Sequence, residues 1–289
     1  MSNKEGQHFV SRFYLKGFQD STAPGEVWLH KLGKTPRRFS TRAICKRPWY
    51  YSLKNEDGTW DSSIEDFLGK FVESPTATVL NKEIDHKSVP SEAGKQYLAI
   101  FLAFLMLRGP GFREMNTAAF SAVSTQMLEM KSKDDPQLKE ALDAYKRGDI
   151  TLELDNRYHV QTMMKGAQPI AMALCDKKFS FLQTTPERPF ITSDRALAMD
   201  AIGGPRFPHF SGIGVGMKNT RIFFPLRADV LLILSGDDSH REGWFNARGV
   251  EVAEANTIIA QQSGDFVISS QRDIRLPAKY GGFKTFSIN

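Results

Sequence analysis

The sequence is poor in cysteine, with only Cys45 and Cys175 in 289 residues. So few thiols exclude a disulfide framework, a multi-cysteine zinc site and an iron–sulfur cluster. Long apolar runs are also absent. The longest, residues 97–107, would cover about 16 Å as a helix, far less than the ~30 Å core of a bilayer. The amino terminus lacks a signal-peptide pattern, so we expect a soluble, cytoplasmic protein without a membrane partner.

The standard motifs of catalysis are missing too. There is no Walker A loop, no HExxH zinc motif and no GxSxG nucleophile elbow. Residues 212–220 come near a phosphate-binding loop, but their spacing is wrong, and a glycine-rich connection over residues 203–216 is the simpler interpretation. The six histidines never pair at metal-ligand spacing. We therefore expect either no cofactor or a divalent cation, the latter if Glu73 and Asp194 converge.

Acidic residues are missing from residues 27–55, although the net charge of the whole chain is only +5. The basic residues of this stretch are Lys31, Lys34, Arg37, Arg38, Arg42, Lys46, Arg47 and Lys54. The aromatic residues interleaved with them are Trp28, Phe39, Trp49, Tyr50 and Tyr51. Cations beside aromatic rings suit a phosphate backbone and stacked bases. The alternative is a solvated surface whose aromatic rings point into the core.

Hydrophobic periodicity changes along the chain and predicts an α+β fold. The predicted helices cover residues 62–81, with a break or kink near Ser74 because of Pro75, and residues 91–108, 112–131, 136–146, 155–175 and 251–262. The predicted strands cover residues 27–30, 37–40, 179–183, 190–192, 221–224, 230–234 and 266–269. Since no linker or repeat interrupts this pattern, we expect a single domain over residues 1–289. Its helical middle, with a fully buried helix at residues 97–107, would pack on the strand-rich carboxyl-terminal part, and residues 1–60 form its basic, aromatic-rich amino-terminal segment.

Three polar residues stand in apolar surroundings. Arg108 follows eleven apolar residues, and a buried guanidinium needs a carboxylate or a bound anion. Asp194 follows the strand-like residues 190–192, where a site residue or a turn-forming residue is equally expected. His8 lies beside aromatic residues, either as a core histidine or as a general acid or base. The acids that could neutralise Arg108 are Glu65, Glu73 and Asp194.

Two segments resemble a known family. Residues 7–18, QHFVSRFYLKGF, and residues 189–194, PFITSD, are similar to the two signatures of the bacterial domain-of-unknown-function family DUF4238. The sequence departs from that pattern at Ser11 and at Arg195-Ala196, where the family usually has proline and a polar residue followed by proline. The resemblance spans nearly the whole chain but implies no particular activity. It implies that seven residues converge in space: His8, Tyr14, Glu73, Arg108, Ser193, Asp194 and Asn256.

Our leading hypothesis is a hydrolase acting on a phosphate-containing substrate, most simply a nuclease or related phosphodiesterase. A role in bacterial defence or as a toxin would suit this activity. His8 would transfer protons, Arg108 would hold the phosphate, and Glu73 with Asp194 would orient His8 or bind a cation. Nucleic acid, the expected partner, would contact Arg12, Arg37, Arg38, Arg42, Lys46 and Arg47.

The alternative is a non-catalytic protein that binds nucleic acid or an acidic partner. The same polar residues would then form a structural network that holds the amino-terminal segment on the helical core. An open cleft around His8, Arg108 and Asp194 would favour catalysis, whereas a closed network would favour the structural role. A purely structural assembly module would instead need a large exposed apolar patch.

Overall fold

Helices occupy the middle of the chain, and strands occupy both ends. The computed structural model describes residues 5–151, 153–202 and 214–274. The helices are α1 (Arg12–Leu15), α2 (Ser63–Phe67), α3 (Ser74–Val79), α4 (Glu92–Arg108), α5 (Pro110–Lys131), α6 (Pro136–Arg147), α7 (Asn156–Cys175) and α8 (Gly249–Gln261). A 3-10 turn (Lys16–Phe18) extends α1, and π-helical turns (Leu68–Glu73 and Leu80–Ile84) follow α2 and α3.

The strands form two sheets and two small ladders. They are β1 (Gly6–His8), β2 (Glu26–His30), β3 (Arg37–Ser40), β4 (Lys46–Pro48), β5 (Leu53–Lys54), β6 (Trp60–Asp61), β7 (Lys178–Gln183), β8 (Thr192–Ser193), β9 (Ala198–Ala201), β10 (Thr220–Arg227), β11 (Val230–Ser235), β12 (Gly243–Asn246) and β13 (Val267–Ser269). One sheet has the order β12-β7-β11-β10-β9, and the other has the order β3-β2-β13-β8. β1 pairs with β4, and β5 pairs with β6. Because β2 pairs with β13, the amino-terminal segment shares a sheet with the carboxyl-terminal part.

A cluster of aromatic rings joins the amino-terminal segment, the helical middle and the strand-rich carboxyl-terminal part of the chain. The Tyr14 ring of α1 stacks on Phe224 of β10, with ring centroids 5.0 Å apart. Phe101 of α4 contacts both Phe13 and Phe224, at centroid distances of 5.1 and 6.1 Å. Burying one such side chain stabilises the fold by about 1.5–3 kcal/mol. The α+β fold, with a helical middle packed on the strand-rich part, is therefore confirmed.

Helix α4 is the central helix that the sequence predicts. Ser91 caps its start, because the Ser91 hydroxyl accepts a hydrogen bond from the Gly94 N–H at 3.1 Å. Its apolar residues pack against α3, α5 and α7. The prediction of full burial over residues 97–107 is wrong at one end, since Tyr97 is exposed. Its position near the helix start lets the phenol reach water while the following turns are covered.

Of the break or kink predicted near Ser74, the break does not occur, and the helix instead contains a π-helical turn that ends at Glu73. The chain stays helical from Ser63 to Ile84, with Pro75 in the first turn of α3. A proline removes one backbone donor and crowds the preceding turn. The π-helical turn before α3 absorbs this change. The hydroxyl of Ser74 donates to the Gly69 carbonyl at 2.9 Å and so satisfies an acceptor in the widened turn.

Other differences concern short strands and one loop. The sequence analysis did not predict β1, β4, β5, β6, β9 or β12, because two to four residues carry too little periodicity to be recognised. The predicted strand at residues 190–192 is shifted to Thr192–Ser193. Residues 203–213 of the predicted glycine-rich loop lie outside the described residues. No helix among the described residues is long and apolar enough to span a membrane.

Candidate functional site

A short β-ladder holds the segment that carries His8 and Ser11. β1 pairs antiparallel with β4, and His8 lies opposite Lys46. Side chains of a strand alternate between faces, so the neighbouring Gln7 points inward. Its amide donates to the Ser52 hydroxyl at 2.8 Å and accepts from the Tyr51 N–H at 2.5 Å. Gln7 anchors this ladder, and sequence reasoning missed it because a single glutamine shows no pattern.

Arg108 and Glu73 form a buried ion pair at the end of α4. The Arg108 Nη1 lies 2.9 Å from the Glu73 Oε1. The Arg108 side chain is only 1% exposed, whereas the Glu73 side chain is 27% exposed. Burial by itself lowers the pKa of Arg108, but Glu73, Tyr51 and Glu65 together outweigh it, so the pKa is raised and the guanidinium stays charged. Of the three acids predicted as partners, Glu73 is the one that makes this contact.

Ser11 joins the same pair to the amino-terminal segment. Its hydroxyl donates to the Glu73 Oε1 at 2.6 Å and accepts a short hydrogen bond from the Arg108 Nη2. The Tyr51 hydroxyl donates to the Arg108 carbonyl at 3.3 Å, which covers the end of α4. Both terminal nitrogens of Arg108 are therefore engaged by protein groups. We call His8, Ser11, Glu73 and Arg108 the polar network.

His8 lies at the edge of this network. Burial lowers the pKa of its imidazole, and the positive charges of Lys46 and Arg108 lower it further. A hydrogen bond with the Thr41 backbone and the charge of Glu73 act in the opposite direction. Its Nε2 is buried and has no hydrogen-bond partner among the described residues. At neutral pH the imidazole is thus neutral and able to accept a proton, but the protein covers that nitrogen.

Two other predicted residues have structural partners. The Tyr14 hydroxyl lies 2.7 Å from the Thr192 Oγ1, and burial raises the pKa of this phenol well above its usual value. Asn256 in α8 accepts from the Ile191 N–H and donates to the Pro189 carbonyl, both at 3.0 Å. Asn256 thereby ties α8 to the chain that leads into β8.

Asp194 and Ser193 organise the turn after β8. The Asp194 carboxylate accepts the backbone N–H groups of Gly264 and Asp265, at 2.8 and 2.7 Å. Burial raises its pKa despite these two bonds. The Ser193 hydroxyl accepts the N–H of Arg195 at 3.2 Å. Asp194 therefore holds the loop before β13, while Glu73 holds Arg108.

Replacing Gly264 by alanine should destabilise the protein, because an added Cβ would lie 2.6 Å from the Asp194 Oδ2. The carboxylate cannot retreat without losing its two backbone donors. We expect a loss of about 1–3 kcal/mol in the free energy of unfolding, the usual range for overpacking, measured by urea denaturation. Gly216→Ala is the matched control, since its Cβ would have no neighbour within 4 Å. Equal stability of the two variants would contradict this account of Asp194.

The cation site predicted from Glu73 and Asp194 depends on their convergence. Each carboxylate has its own partners in this structure, as described above. In the part of the chain that the structure describes, no three His, Cys, Asp or Glu side chains are grouped so that they could hold a metal ion. We therefore assign no metal ligands.

The geometry can now be compared with known proteins. A family model described as "Protein of unknown function (DUF4238)" matches residues 6–273. The chain belongs to the DUF4238 family. The resemblance drawn from residues 7–18 and 189–194 is thereby confirmed, and the match contains every candidate site residue from His8 to Asn256. No curated protein and no solved structure matches the chain.

This DUF4238 chain builds structure at both positions where it departs from the family pattern. Ser11, which stands in place of a proline, supplies the hydroxyl between Glu73 and Arg108. Arg195 and Ala196 complete the turn after β8, and Ala196 adopts a left-handed backbone conformation with φ 56°. Such a conformation is uncommon for a residue other than glycine.

The basic residues in the 27–55 stretch of this DUF4238 chain lie at the surface, whereas some aromatic residues of the stretch are buried and others are exposed. All eight cations of residues 27–55 are exposed, while Arg12 is half-buried. Tyr50 and Tyr51 belong to the core, which agrees with the alternative of a solvated surface whose aromatic rings point inward. Phe39 is exposed, and the Trp49 ring stacks on Trp60 at 4.9 Å. Sequence reasoning missed Trp60 because it follows the turn that ends the basic stretch.

Proposed function

We propose that this protein binds nucleic acid through the cations of its amino-terminal segment, the second of the two functions considered from the sequence. One observation carries the proposal. Within the described residues, Arg38 is the one cation of residues 27–55 that pairs with an acid, Asp20, at 2.8 Å. The exposed residues without such a partner are Lys31, Lys34, Arg37, Arg42, Lys46, Arg47 and Lys54. We call this set the basic face.

Cations that face water without acidic neighbours create a positive potential. A polyanion that binds there releases condensed counterions, and this release supplies much of the binding free energy. Arg38 does not contribute to this set, because its guanidinium contacts Asp20 and also lies 4.9 Å over the Trp28 ring. Arg37, the next residue on the strand, projects from the opposite face of β3.

The position of β3 supplies a competing explanation for its charges. β3 is an edge strand, and charged side chains on edge strands prevent pairing with other chains. Edge protection does not require cations outside the strand. Lys34 and Arg42 lie outside every strand and are exposed as well, which favours a ligand of negative charge.

We do not extend the proposal to phosphodiester cleavage. That hypothesis requires Arg108 to reach a phosphate, yet its side chain is 1% exposed and contacts Glu73 and Ser11. The proton-transfer group of the same hypothesis, His8, has a buried Nε2. The low exposure of Arg108 favours the structural role, although the His8 Nε2 and the Arg108 Nε have no hydrogen-bond partner among the described residues. Cleavage stays a prediction of the sequence.

Charge reversal on the basic face should abolish binding to nucleic acid. The variant replaces Lys34, Arg37, Arg42 and Lys46 by glutamate, and leaves Arg38 in place because it neutralises Asp20. In the wild type each phosphate contact should contribute roughly 0.7–0.9 to the slope of log affinity against log salt, so these four residues should supply about 3 of it. Fluorescence anisotropy with labelled single-stranded and double-stranded DNA and RNA measures both quantities.

The matched control reverses four exposed lysines of the helical region: Lys131, Lys133, Lys139 and Lys165. Both variants change the net charge equally, so a difference between them reports the location of the cations. Thermal unfolding of each variant shows whether it is folded. Equal binding by the wild type and the basic-face variant at low salt would refute the proposal, as would an equal loss in the control.

A further inference from the structure

A second feature of the amino-terminal region is a cleft between β4–β6 and the starts of two helices. Its volume is about 470 Å³, within the roughly 300–1,000 Å³ range of small-molecule sites. The side chains that matter here are Trp49, Lys54, Trp60, Arg113, Asn156 and Arg157. We call it the Trp60 cleft. Arg113 comes from the first turns of α5, and Asn156 with Arg157 begins α7.

Two stacked tryptophan rings form one wall of the cleft. Trp49 and Trp60 stack almost parallel, with an interplanar angle of 3°. Trp49 adopts a left-handed backbone conformation with φ 50°, which costs energy in a residue other than glycine. Since Trp60 remains 38% exposed, its ring offers a surface on which a flat heterocycle can stack.

The polar wall is positively charged. Lys54, Arg113 and Arg157 line the cleft, and none of them makes an ion pair within the described part of the chain. The acid that also lines it, Asp155, caps α7 by accepting the Arg157 N–H at 2.5 Å. The Asp155 carboxylate offsets part of the positive charge at the start of α7, so the three side-chain cations supply the positive charge of this wall. An anionic group is the ligand chemistry that this wall favours.

One buried polar atom in the cleft has no partner. The Asn156 Oδ1 is covered from solvent and makes no hydrogen bond within the described part of the chain. Asn156 itself is held in place, because its Nδ2 donates to the Ser52 carbonyl at 2.8 Å. Tyr50 is 5% exposed, and the Arg113 guanidinium, 3.6 Å from its ring centroid, interacts with both its ring and its hydroxyl. A buried polar group without a partner is costly, so the Asn156 Oδ1 points to a ligand that donates a hydrogen bond.

We propose that the Trp60 cleft binds a nucleotide, with its base stacked on Trp60 and its phosphate near Arg113, Arg157 and the start of α7. The nucleotide can be free or can be the 5′-phosphorylated end of a strand, since both present the same chemistry. This site goes beyond the basic face, with which it shares Lys54, and the other groups assigned to the nucleotide lie outside that set. The residues replaced to test the basic face are different from those replaced to test the Trp60 cleft.

The test uses adenosine 5′-monophosphate as the probe, with adenosine and ribose 5-phosphate for comparison, in calorimetric titrations of the full chain. Trp60→Leu should weaken binding of the monophosphate by about 5- to 150-fold, the range for loss of one stacked base. Arg157→Gln should weaken the monophosphate and ribose 5-phosphate but leave adenosine unchanged. Phe39→Leu is the matched control, because Phe39 is also 38% exposed but does not line the cleft.

A second arm separates the two sources of the nucleotide. An eight-nucleotide strand is titrated with and without a 5′-phosphate; tighter binding of the phosphorylated strand that depends on Trp60 identifies a strand end. Binding of the monophosphate alone identifies a free nucleotide. Both outcomes support the proposal. It is overturned if wild-type protein binds neither the monophosphate nor the phosphorylated strand, or if Trp60→Leu binds them as the wild type does.

The basic-face variant makes the two proposals distinguishable. If it loses nucleic acid but still binds the monophosphate, both proposals stand, and the Trp60 cleft works alone. If the wild type binds nucleic acid and Trp60→Leu changes nothing, the cleft proposal fails while the proposed function holds. Thermal unfolding of Trp60→Leu and Phe39→Leu shows that each variant is folded before binding is compared.

Discussion

Replacing Glu73 by alanine should lower the free energy of unfolding by about 3–5 kcal/mol, the cost of leaving a buried charge without its partner. The reason is the unequal burial of the pair. Arg108 is 1% exposed and cannot turn to water once Glu73 is gone, and its guanidinium cannot lose its proton. Ser11 would remain as a neutral acceptor, and Glu65 would remain as the second acid whose charge acts on Arg108, so the loss is that of the direct contact with Glu73.

The reciprocal change should cost less. In Arg108→Met the apolar side chain fills much of the space, and Glu73, which is 27% exposed, can reach solvent. We expect a loss of about 1–3 kcal/mol. The double variant should resemble Arg108→Met alone, because without the guanidinium there is no buried charge for Glu73 to neutralise. The four stabilities form a double-mutant cycle with a large coupling energy.

Chemical denaturation of the four proteins measures this cycle. Glu92→Ala is the control, since its carboxylate is highly exposed and lies 3.5 Å from Lys95. It should change stability by less than about 0.5 kcal/mol. If Glu73→Ala were no more destabilised than Glu92→Ala, or if the double variant lost the sum of both single effects, the buried pair would not stabilise the end of α4 as described.

Acid should destabilise this protein through His30, with a loss of about 3 kcal/mol as the pH falls from about 6.5 to about 4. Burial lowers the pKa of His30 from 6.5 to about 4, although the charge of Asp273 acts against this shift. The unfolded chain therefore binds a proton in this range that the folded chain does not. The contribution is present above the unfolded pKa and is lost as the pH falls through the folded pKa, at about 1.4 kcal/mol for each pKa unit.

The comparison of wild type with His30→Gln isolates this effect. Glutamine does not titrate, and its amide can still bond to the Ser269 hydroxyl, which lies 2.7 Å from the His30 Nε2. The stability of the variant should therefore fall less steeply between pH 6.5 and 4. His86→Gln, at an exposed histidine, should keep the wild-type slope. Identical slopes for wild type and His30→Gln would show that the burial of His30 does not control the acid response.

Both predictions concern groups whose chemistry is visible in the sequence but whose partners are not. The run of apolar residues before Arg108 predicts that its charge needs an acid, and the structure confirms this need. Three acids were available, and the choice of Glu73 depends on a contact between residues 35 positions apart in the chain. The position of Ser11 in the same network depends on a contact over 97 positions.

The family resemblance implies that seven residues converge in space, and in the structure these residues have different partners. His8, Glu73 and Arg108 lie in one network, with Ser11 between them. Tyr14, Asp194 and Asn256 bond instead to Thr192, to the loop before β13 and to the chain before β8. The two signatures do meet, because Tyr14 of the first contacts Thr192 of the second. They meet through hydrogen bonds that hold the fold.

Much of the secondary structure was decided by the sequence alone. The long helices begin at residues whose side chains cap them, such as Ser91, Asp135 and Asp155, and their apolar spacing continues to the observed ends. Capping and periodicity act between residues a few positions apart, so they can be read locally. The absence of acids from residues 27–55 is local as well, and so are the two signatures that place the chain in DUF4238.

Only the tertiary structure decided which way the aromatic residues of that segment face. Tyr50 and Tyr51 are buried in the core, while Trp49 stacks on Trp60 beside a cleft completed by α5 and α7. No local pattern separates these rings, because burial depends on the helices that pack against them from 60 to 100 positions later in the chain. The same holds for Arg108, whose charge is set by its own sequence and whose inaccessibility is set by Glu73 and Ser11.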